Sequence, residues 1–202
     1  MLDRHLRPYI DPPLNLIGGH AARLGMQANA VTLVGLVIGL AAAGAIAAGY
    51  FLLAILLILA SRLADGLDGA VARANGVTDF GGYLDITCDY VFYAAIPLAF
   101  VVLDPGAHGV AGAFLLLSFY VNAGSFLGFA ILAEKKGLRS GAHGTKSLYF
   151  TSGLLEGTET IAFFLLLCLL PGWFVPLAWG FGILCLITAV ARIALAARTF
   201  RD

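Results

Sequence analysis

Charge is scarce in this sequence. Only 12% of its 202 residues are Asp, Glu, Lys or Arg, and 12 basic residues cancel 12 acidic ones. That balance excludes the basic surface of a nucleic-acid binder and the run of like charge that makes an acidic or basic tail. Cysteine is nearly absent: Cys88, Cys168 and Cys185 are the only three, and each lies inside an apolar run. An odd count in such places excludes a disulfide framework and reads as small core residues. His5, His20 and His108 are scattered and make no metal-ligand spacing. No internal repeat or low-complexity segment is present, so one domain is expected over 1–202. The first residues, with Asp3, His5, Pro8 and Pro12-Pro13, lack the apolar core of a cleavable signal peptide, and none is expected there.

What is abundant is apolar surface: 60% of residues are hydrophobic and the mean hydropathy is +0.93, too high for a soluble domain of this size. Apolar stretches cover 30–48, 50–64, 90–103, 110–133, 161–170 and 174–191, with turn signals at Gly49-Tyr50, Asp104-Pro105-Gly106 and Pro171-Gly172. The pattern predicts an all-α membrane protein with six transmembrane helices bundled over 30–198. Two of the stretches are short for ~30 Å of hydrocarbon. All 12 basic residues, from Arg4 to Arg201, fall on one side of this arrangement, and the three opposite turns contain none. The positive-inside rule then predicts both termini in the cytoplasm, and the inner membrane if the source is bacterial. Trp173 suits the outer interfacial belt. In the juxtamembrane segment 1–28, Leu14, Ile17, Ala21 and Leu24 recur at helical spacing after Pro12-Pro13, with His20 and Arg23 at hand for headgroups. This predicts a short interfacial amphipathic helix starting after the prolines.

The acids are concentrated in one stretch. At about 100° per residue, Asp65, Asp68, Gly69, Ala72 and Arg73 share a helix face, and Gly81, Asp85 and Asp89 share a face of the next helix. A short connection around Asn75 and Gly76 lets the two faces meet. About 14 residues, or ~21 Å of helix, precede Asp65 from the outer turn, and a similar number follow Asp89. The carboxylates are therefore expected inside the membrane, toward its cytoplasmic boundary. Four carboxylates so close together at reduced dielectric do not all stay ionised without cations, and hard divalent ions, Mg²⁺ or Mn²⁺, suit oxygen ligands. Gly69, Ala72 and Gly81 leave room either for a bulky group or for close helix packing, and spacing alone leaves both open. Arg73 suits a phosphate or compensates an acid. Asp79, outside the pattern, reads as a helix cap.

This arrangement resembles the signature of the CDP-alcohol phosphatidyltransferases, Asp-x-x-Asp-Gly-x-x-Ala-Arg followed by Gly-x-x-x-Asp-x-x-x-Asp. Asp65, Asp68, Gly69, Ala72, Arg73, Gly81, Asp85 and Asp89 occupy all eight fixed places, and the spacer Ala74–Phe80 is one residue shorter than usual. The resemblance implies transfer of a substituted phosphate from a CDP-linked donor to an alcohol, with release of CMP, in phospholipid biosynthesis. It implies that Asp65, Asp68 and Asp85, with Asp89 as a further ligand, hold one or two Mg²⁺ or Mn²⁺ ions against the donor diphosphate. By the same resemblance Asp89 is the general base for the acceptor hydroxyl, and Gly69, Ala72, Arg73 and Gly81 accommodate the nucleotide. It further implies a homodimer. The preferred pairing is CDP-diacylglycerol, entering sideways from the lipid, with a small polar alcohol; CDP-choline or CDP-ethanolamine with diacylglycerol uses the same motif.

The acceptor is less legible. Lys135, Lys136, Arg139, His143 and Lys146 form a basic loop that suits a phosphorylated polyol, although the positive-inside rule places them there equally well. Glu156 and Glu159, at the start of the fifth span, suit a substrate ammonium or a pairing with Arg192 or Lys146. A divalent-cation transporter is the alternative of another class. Its path should continue across the bilayer, yet the outer parts of the two motif helices offer little beyond Tyr93 and Pro97. A catalytically silent interaction protein is a third reading, against which all four motif acids stand.

Overall fold

The computed structural model describes residues 3–137 and 157–200, with side chains from residue 8 onward. Among them are seven helices and no strand: α1 (Asp3–Arg23), α2 (Ala28–Ala47), α3 (Phe51–Asn75), α4 (Asp79–Leu103), α5 (Pro105–Lys135), α6 (Gly157–Leu169) and α7 (Phe174–Thr199), the last entered through a 3₁₀ turn at Pro171–Trp173. Short connections turn the chain back between α2 and α3, α3 and α4, α4 and α5, and α6 and α7. Gly49 and Gly76 supply the positive φ, 79° and 102°, that the turns after α2 and α3 require. Asp104 caps α5 by accepting from the Ala107 N–H at 3.0 Å, with Pro105 preset in the first turn. Thr78, not Asp79, caps α4: its hydroxyl accepts from the Gly81 N–H at 3.1 Å. Asp79 is the first residue inside the helix, where its charge meets the positive end of the helix dipole.

α2, α4, α5 and the segment Pro171–Thr199 are each long and apolar enough to cross a membrane, and the chain is a multi-pass membrane protein. α3 is as long, at 25 residues, but carries Arg62, Asp65 and Asp68 within its length. The described part of α6 has 13 residues.

α2 packs along α3 and α4, α5 packs along α7 and α4, and α6 closes against α3 and α7. The apolar core fills the end of the bundle away from the motif. There Ile46, Ile58, Ile96, Phe100, Leu115, Phe164, Leu167 and Phe174 have no exposed surface, and Phe100 stacks on Phe174 at 4.9 Å. Small residues set how closely α2 approaches. A Cβ on Gly39 would stand 2.6 Å from the Phe92 ring.

α1 departs from the sequence-based expectation. It starts at Asp3 and runs through Pro8, Pro12 and Pro13 instead of beginning after them. All three prolines are exposed, so the carbonyls that lose an intrahelical donor to them face outward, where other donors reach them. Nor does α1 use the whole expected stripe. Gly18 and Ala21 are buried and Leu14 is half-buried, while Ile17 and Leu24 are exposed. The reason is a close crossing with α3. A Cβ on Gly18 would stand 2.5 Å from the Cβ of Ala70 and 2.9 Å from its carbonyl carbon, and Leu14 fills the space beside Gly66.

Candidate active site

The site lies where the last turns of α3 and the first turns of α4 face each other. Residues 65, 68, 69 and 72 project from one side of α3, and 66, 70 and 73 from the side turned toward α1, roughly a third of a turn away. The C-terminal half of α3 thus divides its surface between the acids and the α1 contact, with Arg73 at the border.

The carboxylates of Asp65, Asp68 and Asp85 offer oxygens that all lie within 4.8 Å of one another. Asp68 is 5% exposed, and its Oδ2 is buried with no hydrogen-bond partner. A buried carboxylate oxygen without a donor costs ~1–3 kcal/mol or more. An oxygen-only donor set with one orphaned atom aimed into it is what Mg²⁺ or Mn²⁺ accepts, so these three residues fit a divalent ion.

Asp89, the fourth motif acid, lies against the same group but has a different partner. Arg62 donates from Nη1 to Asp89 Oδ1 at 2.7 Å and reaches Asp65 Oδ1 at 3.4 Å. Nη2 reaches Ser61 Oγ at 3.3 Å, and Ser61 in turn donates to the Gly35 carbonyl at 2.8 Å. The guanidinium lies 4.0 Å from the centroid of the fully buried Phe92 ring, and its Nε is buried without an acceptor. The basic-residue count took Arg62 only as one of the charges on that side, and the structure places it inside α3, one turn deeper than Asp65. The available signal was an arginine within an apolar run, three residues before an acid, which seeks a partner.

Beside the acids opens a cavity of about 430 Å³, within the range of small-ligand sites. Gly69, Ala72, Arg73 and Gly81 line it together with Asp68 and Asp85, and the start of α2 adds Gln27, Asn29 and Thr32. The small motif residues therefore border open space. Beyond its own helix backbone, a Cβ on Gly69 would meet only Arg73 Nη1, at 3.3 Å. Sequence reasoning missed the α2 contribution, for which polar Asn29 and Thr32 at helical spacing were the signal. Arg73 is exposed and fixed from α1, donating from Nε and Nη2 to Asn15 Oδ1 at 3.1 and 2.7 Å.

Among the described residues, the remaining sequence candidates do not line the cavity. Lys135 is exposed at the end of α5, and Glu159 is half-buried in the first turn of α6. Arg139, His143, Lys146 and Glu156 lie outside the described residues. Arg192, counted on the same side and weighed as a partner for Glu156 and Glu159, is buried in α7. It donates to the Asn122 carbonyl (3.0 Å), Asn122 Oδ1 (2.9 Å) and Ser125 Oγ (2.7 Å), and keeps a buried Nε without a partner. Tyr90, the neighbour of Asp89, lies within electrostatic reach of both Asp89 and Arg192.

Residues 26–196 match the sequence profile of the CDP-alcohol phosphatidyltransferases, and six of the eight motif residues border the cavity inside that span. The chain belongs to the CDP-alcohol phosphatidyltransferase family. As a member it is a phosphotransferase of phospholipid synthesis. It is 45% identical over 193 residues to inner membrane protein YnjF of Escherichia coli, covering 96% of this chain and 94% of that one. Over 92 residues it is 39% identical to archaetidylinositol phosphate synthase of Pyrococcus horikoshii, covering 45% of this chain and 49% of that protein. In fold it resembles the phosphatidylinositol phosphate synthase PgsA1 of Mycobacterium tuberculosis, crystallised with CDP-DAG bound. The TM-score is 0.70 and the identity 24%, with 91% of this chain and 93% of that one covered. A second crystal structure of PgsA1, in complex with manganese and citrate, gives a TM-score of 0.68 at 24% identity, over 90% and 87% of the two chains.

Proposed function

We propose that this phosphatidyltransferase moves a phosphatidyl group from CDP-diacylglycerol to the hydroxyl of a small, phosphorylated polyol and releases CMP. The observation that carries the reading is the shared wall. Asp68 and Asp85 belong both to the three-carboxylate cluster and to the lining of the cavity that holds Gly69, Ala72, Arg73 and Gly81. A donor with its nucleotide in that cavity has its diphosphate against the acids. The lipid donor is supported by the CDP-DAG in PgsA1, and the phosphorylated acceptor by the names of the archaetidylinositol phosphate synthases.

Asp65, Asp68 and Asp85 would hold Mg²⁺ or Mn²⁺, which supplies positive charge to the donor diphosphate as it is cleaved. Asp89 takes the acceptor hydroxyl proton. The alcohol oxygen bonds to the phosphorus bearing the diacylglycerol, the bond from that phosphorus to the bridging oxygen breaks, and CMP departs with that oxygen. Arg62 binds only Oδ1 of Asp89 among its contacts, which leaves Oδ2 for the proton. Arg73 faces the cavity as a phosphate partner for the donor. Arg192, a buried cation held by Asn122 and Ser125, is a candidate counter-charge for an acceptor phosphate. Lys135, Arg139, Lys146, Glu156 and Glu159 remain candidates for guiding the acceptor. The bundle is read as six spans with its termini and site on the cytoplasmic side, and the assembly as a homodimer on family resemblance.

Purified protein in lipid nanodiscs, supplied with CDP-diacylglycerol, Mg²⁺ or Mn²⁺ and a panel of alcohols, is expected to release CMP with phosphorylated polyols and not with the free polyols, serine or glycerol. Turnover with an unphosphorylated alcohol alone overturns the acceptor class. Turnover only with CDP-choline or CDP-ethanolamine and diacylglycerol overturns the donor.

A further inference from the structure

We infer that Arg62 stands where a second divalent ion would bridge Asp65 and Asp89, so that the site of this chain takes a single ion, on Asp65, Asp68 and Asp85. The inference deepens the metal reading made above and rests on it.

Three observations carry it. First, the four motif acids are not equivalent. Three present oxygens within 4.8 Å of one another, while the nearest cation to Asp89 is the guanidinium of Arg62 at 2.7 Å, which also reaches Asp65 at 3.4 Å. Second, the guanidinium is fixed in place. The Phe92 ring lies 4.0 Å beneath it, Phe92 is itself packed against Gly39, and Ser61 links it to the Gly35 carbonyl of α2. Its side chain is only 16% exposed. Third, an arginine does not clear a cation site by losing its proton, as a lysine or histidine does. A second divalent ion between Asp65 and Asp89 would have to expel a positively charged side chain that is held on several sides or lie in contact with it, and like charges at that separation in a low dielectric repel strongly.

The chemical consequence is a division of labour. Asp89 is paired with a permanent cation that takes one of its oxygens, and its other oxygen is not drawn onto a metal. Arg62 is thereby a positioning residue for the base, acting through Asp89 and not on the substrate.

The test is the number of Mn²⁺ ions bound per chain, read by electron paramagnetic resonance of free Mn²⁺ during titration of the purified full-length protein in nanodiscs, with and without CDP. Wild type is expected to bind one ion in both conditions. Asp89→Asn is expected to keep that ion with affinity changed less than threefold, and Asp68→Asn to weaken it at least tenfold. Arg62→Gln is expected to admit a second ion. Two ions in wild type, or loss of the ion in Asp89→Asn, overturns the inference and leaves the metal reading intact. No ion in wild type overturns the metal reading itself. One ion in a helical, monodisperse Arg62→Gln protein also overturns the inference. If that variant does not fold, wild type and Asp89→Asn decide the matter alone.

Discussion

Asp68 and Asp89 illustrate how one residue type takes two roles through its neighbours. Asp68 is enclosed, with an oxygen that no protein donor reaches, whereas Asp89 is half-buried and neutralised from within the same pair of helices. Replacing Asp89 by Asn keeps the shape and removes the base. Turnover is expected to fall about 10²–10⁴-fold, the usual contribution of a general base, while CDP-diacylglycerol binding measured by calorimetry persists. Near-normal turnover would remove Asp89 from that role. The identity of the four acids was legible in the sequence because a helix repeat puts them on two faces. Their inequivalence was not, because it depends on Arg62. Positive-inside counting assigns an arginine to a side and not to a depth, so the burial of Arg62 and Arg192 lay outside its reach. The described residues carry Arg23, Arg73, Lys135, Lys136 and Arg198 at the site end and no lysine or arginine at the other, the asymmetry on which the proposed orientation rests.

At the scale of elements, the informative relation is between α1 and α3. Pattern reading found the amphipathic character of α1 but put its start after the prolines and its apolar stripe partly on the wrong face. A stripe of leucine and isoleucine looks like a membrane anchor, and the contact is instead made by Gly18, a residue with no side chain to weigh. Through Asn15, α1 holds Arg73 in its place at the cavity wall. Asn15→Ala removes two hydrogen bonds from an exposed guanidinium, about 1 kcal/mol in all, and is expected to raise the KM for the CDP donor roughly fivefold while leaving kcat within twofold. Gly18→Val is expected to lever α1 from α3 at a cost of ~1–3 kcal/mol. The readouts are a lower unfolding temperature in thermal scans and faster proteolysis between residues 1 and 28. Unchanged stability in Gly18→Val would mean that α1 is held by the lipid surface instead.

For the molecule as a whole, helix number and the antiparallel order were readable from the apolar stretches and turn residues, because hydrocarbon admits few other solutions. Orientation can be tested directly, since Cys88, Cys168 and Cys185 are all buried and give a silent background for labelling. A membrane-impermeant maleimide is expected to modify Gly172→Cys in intact cells and Lys136→Cys only after the membrane is opened. The reverse pattern would invert the topology. Metal removal acts at this scale too. Chelation with EDTA is expected to abolish CMP release, and added Mg²⁺ or Mn²⁺ to restore it.

α3 also constrains how the chain is made. By composition it is the poorest membrane segment of the full-length helices, since an arginine or aspartate near mid-span opposes partition from the insertion machinery by ~2.5–3.5 kcal/mol each. Its Arg62 becomes acceptable only against α4, which brings Asp89 to meet it, while the Gly35 carbonyl of α2 receives the hydroxyl of the neighbouring Ser61. α3 is therefore expected to enter lipid together with these neighbours and not as an independent unit. The residues that equip the enzyme for catalysis thus bear on the order of its biogenesis as well.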